Sequence, residues 1–284
     1  MSTSVCVLGL GLMGRPVVRG LLAAGYSVRG WNRSALAATL TEGIPLCENL
    51  ADAARADICL LMLADSAATD QVLALLEPHL SSGRIVLDMG SSDPSHSQAH
   101  ARRLAERGIG WVDAPVSGGP EGAAAGTLAI MAGGREEDVA RAKPVLDVLG
   151  RAVRVGGPGA GHTVKAINQV IVGLAIEAVA EALTLAEKCG IDPALVQQAL
   201  RGGFADSKVL QVHGTRMINR TYTPGGRART HLKDLRLALG LAEAASARLP
   251  HLKSATVLFE TLVAQGDGDL DHSALHKLLW THPG

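Results

Sequence analysis

The architecture of this 284-residue chain follows from one segment, Val5-Cys6-Val7-Leu8-Gly9-Leu10-Gly11-Leu12-Met13-Gly14. An apolar β-type run leads into three glycines with the spacing Gly-x-Gly-x-x-Gly, and an amphipathic helical pattern follows. Gly9 permits a tight turn, Gly11 lets the backbone approach a pyrophosphate, and Gly14 allows close contact between helix and strand. The start of the helix offers free N–H groups and a positive dipole end to phosphates. The segment predicts a dinucleotide-binding strand–turn–helix unit.

Strand-like and helical patterns alternate from this segment to about residue 155. Short apolar runs predict strands at 4–8, 27–31, 58–63, 85–89, 110–114, 128–132 and 152–155. Helical patterns separate most of them, at 13–24, 65–76, 94–107 and 136–149. Such alternation with nearly continuous apolar strands is typical of a parallel sheet covered on both faces. Residues 1–161 are therefore expected to form a doubly wound, Rossmann-type α/β domain.

The pattern changes at the breaker cluster Gly156-Gly157-Pro158-Gly159-Ala160-Gly161. Beyond it, spacings of three and four residues between Val164, Ile167, Ile171, Leu174, Ala175 and Ala178 predict one apolar helix face. A helix over 162–188 would be about 40 Å long, enough to connect domains or subunits. Further helices are predicted at 193–201, 207–219, 230–247 and 251–265. Residues 162–284 should form an all-α substrate and oligomerisation domain joined through this long interdomain helix.

The end of the second predicted strand bears on the choice of dinucleotide. An acidic residue there would bind the ribose 2′-hydroxyl of NAD. The chain instead reads Gly30-Trp31-Asn32-Arg33-Ser34 and has no acid. Arg33 can hold a 2′-phosphate through charge-assisted hydrogen bonds, with Asn32 and Ser34 beside it. NADP is the predicted cofactor, and NAD remains the alternative.

Composition restricts the partners. Lys plus Arg (27) balance Asp plus Glu (27), so neither nucleic acid nor an anionic membrane surface is expected as a partner. No signal peptide is predicted, and no apolar stretch is expected to reach the length of a membrane span. The four cysteines are dispersed and the histidines suggest no ligand pair, so we expect no metal site. A cytoplasmic protein is predicted, with Cys6 and Cys59 as buried, reduced thiols because both lie inside apolar runs.

Four ordered segments carry a resemblance that spans essentially the whole chain. They are 9–16, which contains the glycines; 113–119, which reads Asp-Ala-Pro-Val-Ser-Gly-Gly and continues to Gly126-Thr127-Leu128; 159–169, which contains Lys165 and Asn168; and Lys233-Asp234-Leu235. With them the chain resembles the β-hydroxyacid dehydrogenase family, which includes 3-hydroxyisobutyrate dehydrogenases and tartronate semialdehyde reductases.

The resemblance implies a site in a cleft between the two domains. Lys165 would be the catalytic acid/base, and the substrate would be held by Ser117, Gly118, Gly119, Asn168, Gln169 and Lys233. The cofactor would contact Gly9, Leu10, Gly11, Leu12, Met13, Gly14, Asn32, Arg33, Ser34, Leu63, Ala64, Ser92 and Lys233. Three positions depart from the family pattern, because Gln169 replaces a frequent second Asn, Ala64 replaces a usual Pro, and Gly20 stands where an Asn is common in the first helix.

The residues themselves support this chemistry. Ser117-Gly118-Gly119 follows a predicted strand, where open α/β sheets bind ligands, and bare N–H groups with a hydroxyl suit a carboxylate. Lys165, Asn168 and Gln169 share one helix face through i+3 and i+4 spacing. Lysine can exchange protons when burial and nearby positive charge bring its pKa toward neutrality. We predict hydride transfer between NADP(H) and a small 3-hydroxy acid or carboxylic semialdehyde.

Other functions remain open. A 3-hydroxy amino acid or sugar acid, such as serine, threonine or threonate, would suit the same groups. An imine reductase or a non-catalytic dinucleotide-binding module is disfavoured, because Lys165 and the Ser117 loop are both present. The long helix and the Ala/Leu-rich helical half predict a homodimer or homotetramer.

Overall fold

The structure is a computed structural model that describes residues 3–281. The chain forms two compact units, one up to Lys165 and the other from Ala166 onward. The first contains the predicted sheet and the second is built of helices. The predicted fold class, a Rossmann-type α/β domain followed by a helical domain, is confirmed. The expected domain boundary, between residues 161 and 162, lies near the start of the helix that runs through the division.

Eight strands in the described part of the chain form one sheet in the order β2-β1-β3-β4-β5-β7-β6, with β8 paired to β7. The strands are β1 Ser4–Leu8, β2 Ser27–Trp31, β3 Ile58–Leu61, β4 Ile85–Asp88, β5 Gly110–Asp113, β6 Val116–Ser117, β7 Leu128–Gly134 and β8 Gly150–Gly156. Strands β2, β1, β3, β4 and β5 run parallel. Parallel strands place their carboxyl ends, and the loops that follow them, at one edge of the sheet.

The expectation of a fully parallel sheet is wrong beyond β5. Strand β7 pairs antiparallel with both β5 and β6, and β8 then runs parallel to β7. The chain continues past β5 through the two residues of β6, turns at Gly118, and returns as β7. This reversal leaves Ser117 on a paired strand beside the parallel part of the sheet.

Helices follow most strands of the first unit. They are α1 Gly14–Ala23, α2 Ala38–Thr41, α3 Leu50–Ala53, α4 Ser66–Leu76, α5 Pro94–Ala105, α6 Gly119–Ala125, α7 Glu136–Leu149 and α8 Ala160–Lys188. The side chain of Asp65 accepts a hydrogen bond from the Ala68 N–H to cap α4, and Asp93 caps α5 through Ser95. Such N-caps are worth about 1 kcal/mol each.

The apolar strands bury both faces of the sheet. On β1, Val5 and Val7 belong to one core cluster, whereas Cys6 and Leu8 belong to the other. This alternation follows from the two-residue period of a strand and explains why the run is apolar at every position. Cys6 and Cys59 are buried, as predicted; Cys47 is buried as well, and Cys189 is exposed.

The second unit packs the long helix against several shorter ones. These are α9 Pro193–Leu200, α10 Lys208–Ile218, α11 Ala228–Ala244, α12 Pro250–Ala264 and α13 Leu275–Thr281. Ile176 and Leu183 of α8 join Leu235 of α11 and Phe259 of α12 in one buried cluster. Helix α8 thereby supplies a core-facing side to this unit.

The apolar face predicted for the long helix is not the face that the core buries. Ile167 is 55% exposed and Ile171 is 66% exposed. Helix α8 is apolar on more than one side, so spacing alone did not identify its buried face. By length and composition α8 is also apolar enough to cross a membrane, contrary to expectation, although core helices of soluble proteins pass the same test.

Candidate active site

The glycine loop has the backbone geometry that its sequence predicts. Gly9 adopts a φ of 105°, and a Cβ on Gly14 would lie 1.8 Å from the Gly9 carbonyl oxygen. These two glycines are therefore required by the turn and by the helix–strand contact. A Cβ on Gly11 would meet no heavy atom within 4 Å. Gly11 thus faces open space, as a glycine approached by a phosphate should.

Asn32, Arg33 and Ser34, which are predicted to lie near the 2′-phosphate of the cofactor, differ in their surroundings. The Leu10 N–H donates to Asn32 Oδ1 at 3.0 Å, and Asn32 Nδ2 donates to the Ser34 carbonyl oxygen at 2.7 Å. Asn32 thus ties the glycine loop to the end of β2, and this N–H is already engaged. Arg33 is exposed, and its guanidinium donates to Gln71 Oε1 at 3.0 Å. Leu12 is exposed and Met13 half-buried in the same loop.

The loops after β3 and β4 lie at the same edge of the sheet as the glycine loop. Leu63 is half-buried and Ala64 is exposed. Ser92 is buried, and its hydroxyl donates to Asp88 Oδ2 at 3.3 Å. Of these three positions, Ala64 presents the most accessible surface and Ser92 supports the loop from within.

The structure brings Lys165 to the predicted carboxylate-binding loop. Ser117 ends β6, Gly118 precedes helix α6 with a φ of 138°, and Gly119 begins that helix with a φ of 67°. The Nζ of Lys165 donates a hydrogen bond of 2.9 Å to the main-chain oxygen of Val116. Ser117, Gly118, Gly119 and Lys165 are all half-buried. A lysine and a hydroxyl-bearing glycine loop therefore lie together at the carboxyl-terminal edge of the sheet.

A buried polar network that the sequence analysis missed anchors the start of helix α8. Asp113 Oδ1 accepts from the Gly159 N–H at 2.8 Å, and Asp113 Oδ2 accepts from the His162 N–H at 3.1 Å. His162 Nδ1 lies 2.7 Å from the Ser97 hydroxyl, and its Nε2 lies 3.8 Å from Asp88. Burial raises the pKa of Asp113 despite these favourable partners. An acid at the end of an otherwise apolar strand was the available signal.

The carboxylate of Asp113 thus fixes the helix one turn before Lys165. Gly161 has no room for a side chain, because its Cβ would lie 2.4 Å from the Asp113 main-chain oxygen. This close approach of helix and strand holds the backbone from which the Lys165 side chain extends.

Three predicted substrate residues belong to the second unit. Asn168 Nδ2 donates to Gln169 Oε1 at 2.8 Å, and Gln169 Nε2 donates to Asp234 Oδ2 at 2.7 Å. Gln169 is buried, so its amide orients Asn168. Lys233 Nζ lies 3.2 Å from Asp234 Oδ1 and is about one-third exposed. Asn168 follows Lys165 by three residues on the continuous helix α8, which keeps both on one helix face.

Two groups of potential metal ligands occur among residues 3–281. Asp70, His96 and His100 form one, and His213, Asp271 and His272 the other. His96 and His100 have the His-x-x-x-His spacing, so the expectation that the histidines contain no ligand pair is wrong. In the second group, Asp271 already accepts hydrogen bonds from Arg216 and from the Gly225 and Gly226 N–H groups.

Comparison with known proteins defines the class. Residues 4–157 match the NAD-binding domain of 6-phosphogluconate dehydrogenase, and residues 159–279 match the NAD-binding model of NADP-dependent 3-hydroxyisobutyrate dehydrogenase. Fold and loop together define an NAD(P)-dependent hydroxyacid dehydrogenase. The chain belongs to the β-hydroxyacid dehydrogenase family.

The similarity to individual relatives extends over nearly the whole length of both chains. The chain is 43% identical to the 2-hydroxy-3-oxopropionate reductase of Escherichia coli K12, covering 96% of this chain and 95% of that one. It is 36% identical to the 2-(hydroxymethyl)glutarate dehydrogenase of Eubacterium barkeri, covering 98% and 95%. The crystal structure of 3-hydroxyisobutyrate dehydrogenase from Salmonella typhimurium superposes with a TM-score of 0.90 at 31% identity, covering 98% and 100%.

Proposed function

We propose that the protein transfers hydride between NADP(H) and a small carboxylic semialdehyde or 3-hydroxy acid, with Lys165 as the general acid/base. The observation that carries this proposal is the 2.9 Å hydrogen bond from Lys165 Nζ to the Val116 oxygen. It brings a proton-exchanging group to a loop suited to a carboxylate. The name of the Escherichia coli relative, which specifies a carboxylic semialdehyde, favours that substrate class.

The residues present fit a dinucleotide. A Cβ on Gly11 would meet no protein atom within 4 Å, so the packing of the protein does not itself require a glycine there. The start of helix α1 lies beside this open space. Arg33 would hold the 2′-phosphate, since it is exposed, its guanidinium donates to the neutral amide of Gln71, and no acid follows it at the end of β2. When bound, the nicotinamide ring accepts or supplies the hydride.

The substrate carboxylate would be held by Ser117, Gly118 and Gly119. The Ser117 hydroxyl can donate to a carboxylate oxygen, and the glycines allow close approach because they carry no side chain. Asn168 would orient the substrate hydroxyl or carbonyl, with its amide fixed by Gln169. Gln169 then acts as a positioning residue, and Asp234 supports it.

Lys165 would move the proton. An ammonium has three N–H donors, so the bond to Val116 leaves donors for a substrate oxygen. In the reduction, the ammonium donates a proton to the carbonyl oxygen as hydride reaches the carbonyl carbon. In the oxidation, the neutral amine accepts the hydroxyl proton. The bond to Val116 restricts the lysine rotamer, so less conformational entropy is lost when the substrate binds.

We further propose a cytoplasmic enzyme that works as a homodimer or homotetramer on a small carboxylate, with no nucleic-acid or membrane partner. The free buried thiols favour a reducing compartment. The balanced charge gives no electrostatic reason for binding polyanions.

A substrate panel tests the proposed activity. Tartronate semialdehyde, succinate semialdehyde, 3-hydroxyisobutyrate, L-serine and L-threonate would each be assayed with NADP(H), and each semialdehyde would be paired with its methyl ester. We expect the highest kcat/KM for a carboxylic semialdehyde and a loss of at least about tenfold for its ester, because the ester cannot receive the charged hydrogen bonds. Equal rates with acids and esters, or activity confined to L-serine or L-threonate, would refute the proposed substrate class.

A further inference from the structure

Helices α4 and α5 bring two imidazoles and one carboxylate to a single point, away from the glycine loop and Lys165. Asp70 Oδ2 lies 2.9 Å from His96 Nδ1, and Asp70 Oδ1 lies 2.8 Å from His100 Nε2. The potential ligand atoms all lie within 4.8 Å of one another. His96 and His100 are one helical turn apart, so the same face of α5 presents both rings to α4.

We propose that Asp70, His96 and His100 form a binding site for a divalent first-row transition-metal ion. Two imidazole nitrogens and one carboxylate oxygen are ligands that suit Zn²⁺ and Ni²⁺. Neighbouring ligands of an octahedral ion, each about 2.1 Å from the metal, lie about 3.0 Å apart. Asp70 Oδ1 lies 3.2 Å from His96 Nδ1 and 2.8 Å from His100 Nε2, and these two separations lie on either side of that spacing. The ion would replace the proton shared in each Asp–His contact.

The surroundings leave room for the ion and its water ligands. A surface pocket of about 730 Å³ is lined by all three residues together with Ser95, Glu77 and Arg103. The carboxylate of Glu77 lies 2.8 Å from the Arg103 guanidinium and 3.7 Å from that of Arg107, which also lines the pocket, so it partly offsets their charge. Asp70 and His96 are about two-fifths exposed, which gives an ion access from solvent.

His100 supplies the rigid part of the site. Its side chain is 7% exposed, and its ring centroid lies 5.0 Å from the Trp111 ring. Burial lowers the pKa of His100, as does the charge of Arg103. Packing against Trp111 thus fixes the orientation of the ring, with Nε2 facing Asp70.

A metal at this point would link the two helices that follow β3 and β4. These helices begin next to the loops that carry Ala64 and Ser92, and the Asp93 N–H already donates to Ser66 Oγ at 2.8 Å. Because the unfolded chain lacks the site, binding should stabilise the fold. The ion would therefore raise the melting temperature without taking part in hydride transfer.

The test uses the full chain without a polyhistidine tag, titrated with Zn²⁺ and separately with Ni²⁺ against a chromogenic chelator, with Mg²⁺ as the weak-binding comparison. The variants are His96→Ala and Asp70→Asn, and His79→Ala is the matched control, since it removes an exposed histidine near the same helices. His100→Ala is not the primary test, because that ring packs against Trp111. Circular dichroism confirms that each variant is folded.

We expect the wild type and His79→Ala each to bind one equivalent of Zn²⁺ or Ni²⁺. His96→Ala and Asp70→Asn should bind at least about tenfold more weakly, and the metal should raise the melting temperature only of the proteins that retain binding. If His96→Ala and Asp70→Asn bind the ions as tightly as the wild type, or if the wild type binds no equivalent, the three residues are a hydrogen-bonded contact between helices and the proposal is wrong.

Discussion

The Nζ of Lys165 donates a 2.9 Å hydrogen bond to the main-chain oxygen of Val116, the residue before Ser117. The two residues are 49 positions apart in the chain, and the buried Asp113 network brings them together by fixing the start of α8. The proposed general acid/base, the proposed carboxylate-binding loop and the glycine loop thus belong to one sheet edge.

Arg33 should determine the preference for NADP. Arg33→Asp removes a partner of the 2′-phosphate and adds repulsion, so the ratio of kcat/KM for NADP to that for NAD should fall by more than about tenfold. Arg19→Asp, which makes the same charge change at an exposed site on α1, is the control. A wild-type enzyme that uses both cofactors equally would contradict the assignment.

Ser117 should act chiefly on substrate binding. Ser117→Ala removes one donor to the carboxylate, and a hydrogen bond to a charged group is worth about 1–3 kcal/mol. KM for the best acid substrate should therefore rise roughly 5- to 150-fold, with a smaller change in kcat. Ser82→Ala, which removes an exposed hydroxyl elsewhere, should change neither. An unchanged KM in Ser117→Ala would place the carboxylate at another site.

The exposed apolar side of α8 should be covered in a dimer or tetramer. Ile167, Ile171 and Leu185 are each more than half exposed, which is costly for a stable monomer in water. Light scattering at micromolar concentration should give a mass of at least about twice the 29.3 kDa of one chain. Ile167→Asp combined with Ile171→Asp should lower that mass, and Val153→Asp, at an exposed position on β8, should not.

A wild-type mass near 29.3 kDa would show that this face has no partner copy.

Asp271 should make the second unit more stable at neutral than at acid pH. Burial favours the neutral acid, but hydrogen bonds from His213 and Ser273 and the nearby His272 outweigh it and hold the pKa of Asp271 well below its usual value. Because the pKa of Asp271 is lower in the folded chain than in the unfolded chain, its charge stabilises the fold above the unfolded-state pKa of about 3.9. This stabilisation is lost progressively as the pH falls below about 3.9. Asp271→Asn should thus lower the melting temperature by several degrees at pH 7.

The difference between wild type and Asp271→Asn should narrow below about pH 4. Asp269→Asn is the control, because its carboxylate is 63% exposed and pairs with Arg229 at the surface. A melting-temperature difference that stays constant from pH 7 to pH 3 would contradict the assigned charge state.

Many elements of this structure depend on residues that are close together in the chain, so the sequence predicts them. The glycine loop, the apolar strands and the capped helices each depend on neighbouring residues, and they occur within a few residues of their predicted bounds. Helices α2, α3 and α6 are short and lack apolar periodicity, so no spacing pattern indicates them. The Gly-rich start of α6 resembles a loop in composition.

The relationships that were missed are long-range. The antiparallel course of β7 depends on the turn after β6, and the roles of Asp113 and His162 depend on a contact across 49 residues. Gln169 is predicted to bind substrate from its helix position, but its partner is Asp234, 65 residues away, which only the packing of α11 against α8 reveals. A residue's place on a helix face was predictable, whereas the partner on that face was not.

The most direct test of the central claim is the kcat of Lys165→Ala on the best substrate. Because the variant loses the group that donates or accepts the proton, kcat should fall roughly 10²- to 10⁴-fold, and Lys165→Arg should not restore it, since a guanidinium keeps its proton near neutral pH. Lys188→Ala, at the other end of α8, is the control and should keep wild-type kcat.

Circular dichroism and fluorescence titration with NADPH must accompany this measurement, since the cofactor is assigned to the Gly9–Gly14 loop and Arg33, neither of which the variant changes. The predicted result is a folded Lys165→Ala protein with unchanged cofactor affinity and a kcat at least about 100-fold lower. A folded, cofactor-binding Lys165→Ala protein with near wild-type kcat would contradict the account.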